Sequence, residues 1–300
     1  MRRPYHQLQF LIFVYAFTAI LGRMISLPAP ILVLWRVGLA AIIMLIWLAI
    51  SKRAPIKMER AFIIRALGIG LILGMHWITF FGSIQLANIS VCLAGMASTS
   101  FFTSMTEPLI ERRKPKISEL LLGLMVIPGL LLIVGASWDH ALGLGCALIS
   151  ALFASLFPVL NRKFALSGTA PQTLTLYEMF GAVVVCLIFT SIAGIPVLEH
   201  LPTGMDWVWL TVLSVVCTVW AFSFHIKLLE KFTAFTSNLA MNFEPVYGII
   251  LAALIFHEYR ELNSLFYLGA TFILAANIIH AFINKKTTHH TSVPSELPID

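Results

Sequence analysis

The sequence predicts an all-α membrane protein: ten transmembrane helices arranged as two inverted five-helix repeats. Three observations carry that expectation: the density of apolar residues, the length of the apolar runs, and the placement of the basic residues. Of the 300 residues, 59% are hydrophobic and 11% charged, and the mean hydropathy is +0.91. Soluble domains carry about 25% charged residues and under about 50% apolar ones. A core of this chain length cannot hide the excess apolar surface, so lipid must cover it.

A helix needs roughly 20 apolar residues to cross a hydrocarbon core about 30 Å thick. Ten runs meet that length: 7–25, 30–50, 62–84, 89–110, 117–136, 140–161, 171–194, 206–227, 233–256 and 263–284. The first enters directly from Met1-Arg2-Arg3-Pro4 and ends at Gly22-Arg23 without a small-x-small cleavage site, so it reads as a span rather than a signal peptide. The connections are short and carry turn residues, as in Pro28-Ala29-Pro30, Lys52-Arg53-Ala54-Pro55 and Pro202-Thr203-Gly204. Continuous runs of this length exclude barrel strands, which alternate over about 10 residues. The segment from Thr287 to Asp300 is polar and reads as a disordered tail.

With the N-terminus placed in the cytoplasm, 16 of the 20 basic residues fall on the inner side, among them Lys52, Arg53, Arg112, Arg113, Arg162, Lys163, Lys227 and Lys231. The outer connections hold only Arg23 and Arg260, together with Asp139, Glu199, Asp206, Glu258 and Glu261. Such a bias is the positive-inside pattern, and losing one span in the middle would destroy it. The net charge of +6 therefore reads as loops facing anionic headgroups rather than a nucleic-acid surface. Cys92, Cys146, Cys186 and Cys217 lie in apolar runs without CxxC or Cys/His spacing, which speaks against a disulfide framework or a metal site. Neither a P-loop nor a Gly-rich nucleotide fingerprint is present, so the sequence implies no cofactor and no ATP hydrolysis.

Residues 83–111 parallel 228–258, and the stretch Pro30 to Arg36 parallels Pro171 to Glu178. The offset of about 142–147 residues spans five helices. Five is odd, so the second copy enters the membrane upside down, as in many secondary transporters. The implied units are 1–138, 139–286 and the tail 287–300.

The motifs of the second half resemble the drug/metabolite transporter superfamily, specifically the EamA-type ten-helix permeases. Phe232-Thr233-Ala234-Phe235-Thr236-Ser237-Asn238-Leu239 is similar to the family's turn into helix 9. Pro245-Val246-Tyr247-Gly248 resembles its proline-led helix, Glu258 the acidic residue that ends it, and Leu268-Gly269-Ala270 the start of helix 10. In the first half Trp35-Arg36 and Glu111 match, whereas helix 1 has Tyr15-Ala16-Phe17-Thr18 in place of the usual Trp-Gly pair. The resemblance covers residues 7–284. It implies small-molecule transport, commonly export of amino acids, metabolites or drugs, through a cavity between helices 1, 3, 4 and 6, 8, 9. It also implies a multi-pass protein whose partners are a small solute and lipid. The short loops point to a bacterial inner membrane with both termini cytoplasmic, and the oligomeric state stays open.

Ionisable groups inside spans cost at least about 2.5–3.5 kcal/mol each at the helix centre, so each needs a reason. Glu244 precedes Pro245 in the middle of helix 9, where the missing amide loosens the helix, and it reads as a proton or substrate site or as a packing group bonded to a neighbouring helix. Asn238 and Asn242 share one face of that helix. Glu244 points about 200° away from Asn242 on a straight helix, so a kink must bring them together or one set packs elsewhere. Arg36 and Glu178 sit six or seven residues into their spans at an offset of 142. They read either as a gate, ion-paired to each other or to helix ends, or as a static lock. His76 and His225 each lie near a tryptophan, Trp77 and Trp220, and are candidates for proton coupling or for interhelical hydrogen bonds.

Met96, Trp77, Trp220, Phe243 and Tyr247 would give the cavity an adaptable apolar lining. Thr99, Thr103 and Thr106 share a face of helix 4, as do Ser100 and Ser104, and either line a polar path or bond their own backbone. Gly70 to Gly74 is a GxxxG match that reads as packing. Two other readings compete: an intramembrane enzyme using His257 with Glu258, and a scaffold without transport.

Overall fold

The computed structural model describes residues 2–124, 128, 129, 132, 138–260, 262–272 and 275. Among these residues every regular element is helical. The long helices are α1 (Arg2–Met24), α2 (Ala29–Ser51), α3 (Arg60–Leu86) and α4 (Ile89–Glu111). A short α5 (Ile117–Leu124) follows. The second set is α6 (Ala141–Leu166), α7 (Pro171–Ile192), α8 (Asp206–Leu228) and α9 (Ala234–Phe256), with α10 at 264–272. Eight of these are long and apolar enough to cross a membrane. The fifth and tenth expected spans, 117–136 and 263–284, lie partly outside the described residues.

Local chemistry sets the boundaries. Pro30 and Pro171 stand in the first turns of α2 and α7, where a missing amide costs nothing. The α1–α2 turn is pinned to the ends of two other helices. Gln85 accepts from Ala29 N at 2.9 Å and donates to Leu27 O at 2.8 Å. Asp206 accepts from Ser26 N at 2.9 Å, so this acidic residue of an expected outer loop is buried.

Two helices are broken at their centres, and the breaks match. α4 consists of Ile89–Met96 and Thr99–Glu111, α9 of Ala234–Met241 and Glu244–Phe256. Asn88 and Thr233 are the N-caps, accepting from Val91 N at 2.9 Å and Thr236 N at 3.0 Å. Arg112 and His257 end the helices in the left-handed conformation, with φ of 55° and 57°. Caps, breaks and terminators are all separated by 145 residues. At that spacing Pro245 corresponds to Ser100.

Each broken helix is closed by a carboxylate from the other. Glu258, just past α9 and 3% exposed, accepts from Ile89 N and Ser90 N at 3.0 Å and from Ser90 Oγ at 2.7 Å. Glu107, near the end of α4, accepts from Phe235 N at 2.9 Å at the start of α9. These bonds satisfy amides that a helix start leaves without partners. Around Glu107, Arg113 pairs with Glu107 and Glu111, and Arg162 of α6 with Glu111 at 3.3 Å. This network ties α4 to α6 at the Arg/Lys-rich end of the bundle.

α3 crosses the centre, packed on α6 and α7. Its GxxxG pair makes that approach possible, because Gly70 and Gly74 lie against the α7 backbone at Glu178 and Ala182.

Candidate functional site

The breaks in α4 and α9 face one cavity of about 100 Å³. A single water needs about 10–15 Å³ on the same measure, so this space suits a small organic molecule. Tyr15 and Thr18 enter from α1, Arg36 from α2, and Leu73, His76, Trp77 and Phe80 from α3. Met96 and Thr99 flank the α4 break. Ala154 and Phe157 come from α6, Phe222 and His225 from α8, and Asn238, Met241, Asn242, Glu244 and Pro245 surround the α9 break. The lining thus comes from helices 1, 3, 4, 6, 8 and 9, with Arg36 of α2 added.

The break resolves the geometric conflict on helix 9. Two turn residues, Asn242 and Phe243, interrupt the helix and rotate the segment beyond them, so Asn238, Asn242 and Glu244 reach one wall. Glu244 becomes the first residue of the second segment, beside the positive end of its backbone dipole. The missing amide of Pro245 leaves the carbonyl of Met241 without its helical donor at the same place. Asn238 Nδ2 donates to Thr103 Oγ1 at 2.8 Å and Asn242 Nδ2 to Ser100 Oγ at 3.1 Å, fastening α9 to the second segment of α4.

Those bonds make a prediction. Thr103→Val leaves the buried Asn238 amide without its acceptor, at a cost of about 1–3 kcal/mol. Adding Asn238→Leu removes the orphan and recovers part of that loss. A double-mutant cycle of detergent unfolding should therefore give a coupling of about 0.5–2 kcal/mol, and additive losses would refute the pairing.

Both histidines line the cavity and both are held by serines of neighbouring helices. His225 Nε2 is 2.8 Å from Ser237 Oγ. His76 Nδ1 lies 2.8 Å from Ser150 Oγ and 3.1 Å from Ser150 O, while the Ser150 hydroxyl donates to His76 O at 2.9 Å. The carbonyl and the already committed hydroxyl can only accept, so a neutral His76 carries its proton on Nδ1 and Nε2 is bare.

Arg36 is 1% exposed. Its Nε donates to Thr218 Oγ1 at 2.7 Å, and its guanidinium carbon lies 4.0 Å above the Trp77 ring. Thr218 belongs to a π-helical stretch of α8, Val215–Trp220, and donates in turn to Leu213 O, five residues back, at 2.9 Å. Ser214 Oγ donates to Arg36 O at 3.0 Å. The wide turn and the arginine thus hold each other in place, and such turns concentrate at functional sites.

Three expected placements need correction. Arg36 and Glu178 form no ion pair: Glu178 is 0% exposed in α7, outside the cavity and facing Asn161, and neither of its carboxylate oxygens has a hydrogen-bond partner. Their matching depth does not bring them together, because Thr218 and Trp77 surround the guanidinium instead. Trp220 is 42% exposed on the outer surface, stacked on Phe224 at 5.5 Å, and Phe222 takes the cavity position. The π stretch adds a residue to one turn and rotates the register beyond it. Phe243 and Tyr247 pack in the apolar cluster around Leu8 of α1 rather than in the cavity.

The His257–Glu258 dipeptide is also committed elsewhere, with Glu258 capping α4 and His257 terminating α9. Tyr15, Thr18, Thr218 and Ser150 were missed as site residues. Tyr15 and Thr18 did carry a signal, since they occupy the stretch of helix 1 that departs from the family pattern.

Residues 141–281 match the EamA-like transporter family. A solved crystal structure matches with a TM-score of 0.68 and 13% identity, covering 94% of this chain and 99% of that one, a likeness of fold. No curated protein matches the sequence. Together with the eight apolar helices, these findings describe an integral multi-pass membrane protein. The second half of the chain, residues 141–281, is thus similar to the EamA-like transporter family, a family of membrane transporters of small molecules.

Proposed function

We propose that this protein is a secondary transporter that exports small organic solutes by alternating access, with proton movement coupled at Glu244. The observation that carries the reading is the cavity at the paired breaks of α4 and α9. Discontinuous helices that meet at a central cavity are how many transporters bring polar backbone and ionisable groups to a solute within the membrane.

The 145-residue spacing of caps, breaks and terminators supports two inverted five-helix halves, 1–138 and 139–286, within ten spans. The reciprocal carboxylate caps suit such halves. Glu258 joins α4 to α9 at one end of the bundle, and Glu107 joins them at the other. Rocking of the halves about the cavity would loosen one junction at a time. The clustering of Lys and Arg supports a cytoplasmic position for the end where α4 terminates, with both chain termini on that side of a bacterial inner membrane.

The test is solute-driven proton movement in liposomes containing the purified protein, followed with an internal pH dye. A panel of amino acids, organic acids and amphipathic amines should include solutes that move protons through the wild type. In Glu244→Gln that proton movement should vanish while binding of organic acids, which carry no ammonium, persists in detergent. Equal proton movement in wild type and variant would remove Glu244 from the coupling step. Solute flux without proton movement would make the protein a facilitator.

A further inference from the structure

Among the ionisable groups that line the cavity, one carboxyl and one guanidinium are of opposite sign, and they are not equivalent. Glu244 and Arg36 both line it, yet they form no ion pair with one another. A carboxyl can lose its charge by taking a proton, whereas a guanidinium keeps its charge in proteins. Arg36 is also the more deeply enclosed of the two.

Its surroundings leave the charge incompletely answered. Nε is satisfied by the Thr218 hydroxyl and one face by Trp77, but Nη1 has no hydrogen-bond partner. A buried charge without a counter-ion costs several kcal/mol. The fold nevertheless fixes this one in place, through a π-helical stretch whose Thr218 and Ser214 hold the arginine side chain and backbone. With Nε and one face engaged, the edge that carries the two terminal nitrogens is what remains to answer the charge, and that planar edge has the geometry that matches a carboxylate. Leu73, Phe80, Phe157 and Phe222 give the cavity apolar walls, beside the polar groups of His76, His225, Asn238 and Asn242.

We propose that Arg36 is the anchor for a carboxylate, so that this cavity selects small carboxylates with an aromatic or aliphatic body. The proposal rests on the cavity being the solute site of a transporter. Plain acids and amino acids share the recognised group. The acid binds through Arg36 alone, and the amino acid places its ammonium toward Glu244 as well.

The experiment is isothermal titration of the purified full chain in detergent with four probes built on one phenyl ring. They are 3-phenylpropionate, phenylalanine, 3-phenylpropionamide and 2-phenylethylamine. One or both carboxylates should bind about 10- to 100-fold more tightly than the amide and the amine, the range expected for hydrogen bonds to a charged group. Preference for the plain acid or for the amino acid then separates the two sources.

Arg36→Gln should abolish the discrimination. Arg36→Lys should restore only part of it, because an ammonium lacks the fork. Thr218→Val leaves the charge but frees Nε, and should weaken carboxylate binding several-fold, which keeps the test decisive if Arg36→Gln does not fold. Equal binding of amide or amine, unchanged discrimination in a folded Arg36→Gln, or no carboxylate binding by folded wild type would each overturn the assignment. Carboxylate binding without flux in liposomes would overturn the transport reading and leave the anchor standing. Flux of amines without carboxylate binding would do the reverse.

Discussion

Glu258→Ala is expected to lower the unfolding free energy in detergent by about 3–5 kcal/mol, the loss typical of removing one partner from a buried charged interaction. The carboxylate accepts three hydrogen bonds from Ile89 and Ser90, none longer than 3.0 Å. Each such bond to a charged group contributes about 1.5–3 kcal/mol, and the alanine leaves two buried amides at the start of α4 without acceptors. Glu258→Gln should lose about half as much, since its amide group presents hydrogens where one oxygen accepted. Glu199→Ala is the control, an exposed carboxylate whose removal should stay within about 0.5 kcal/mol. Chemical unfolding followed by tryptophan fluorescence or circular dichroism reads all three. If Glu258→Ala matched Glu199→Ala, the cap would contribute no stability and its part in joining α4 to α9 would fall.

Gly70→Ala and Gly181→Ala should each destabilise the bundle by about 1–3 kcal/mol or more, although alanine is the better helix former. A Cβ at Gly70 would overlap the carbonyl of Glu178, and one at Gly181 would overlap the carbonyl of Leu67. These obstacles are backbone atoms, so relief requires α3 and α7 to separate along a seam through the centre of the protein. Gly74→Ala should fall between, because its overlap is partly with the Val185 side chain, which can turn. Gly82→Ala, in the same helix but with nothing within 4 Å, should be neutral or stabilising by about 0.5–1 kcal/mol. Equal effects at Gly82 and Gly181 would mean that the seam is not closely packed.

Within the described residues the sequence located the spans well, because span length and hydropathy are sums over neighbouring residues. The eight long helices begin and end within a few residues of the expected runs. Glu244, Arg36, His76 and His225 stood out for the same reason, as costly groups in apolar surroundings, and all four line the cavity. Composition could not sort Glu178 from this group. It carries the same cost by sequence but lies against α3 and Asn161, away from the cavity. Glu107 went unnoticed because it sits near the basic turn at the end of helix 4. There it reads as one more surface charge until Phe235, 128 residues later, supplies the amide it accepts.

The sequence by itself determined which segments enter the membrane and which polar groups they carry, since both depend on local transfer free energies. Tertiary structure decided which of those groups meet. A straight helix sets Asn242 and Glu244 on different sides, and only the two-residue break in α9 puts them on one wall. A regular α8 would carry Trp220 and Phe222 in another register, and the π turn that sets it is held by Arg36, 182 residues away from Thr218. Those choices depend on hydrogen bonds between distant segments, whose free energy appears only when the helices are packed together.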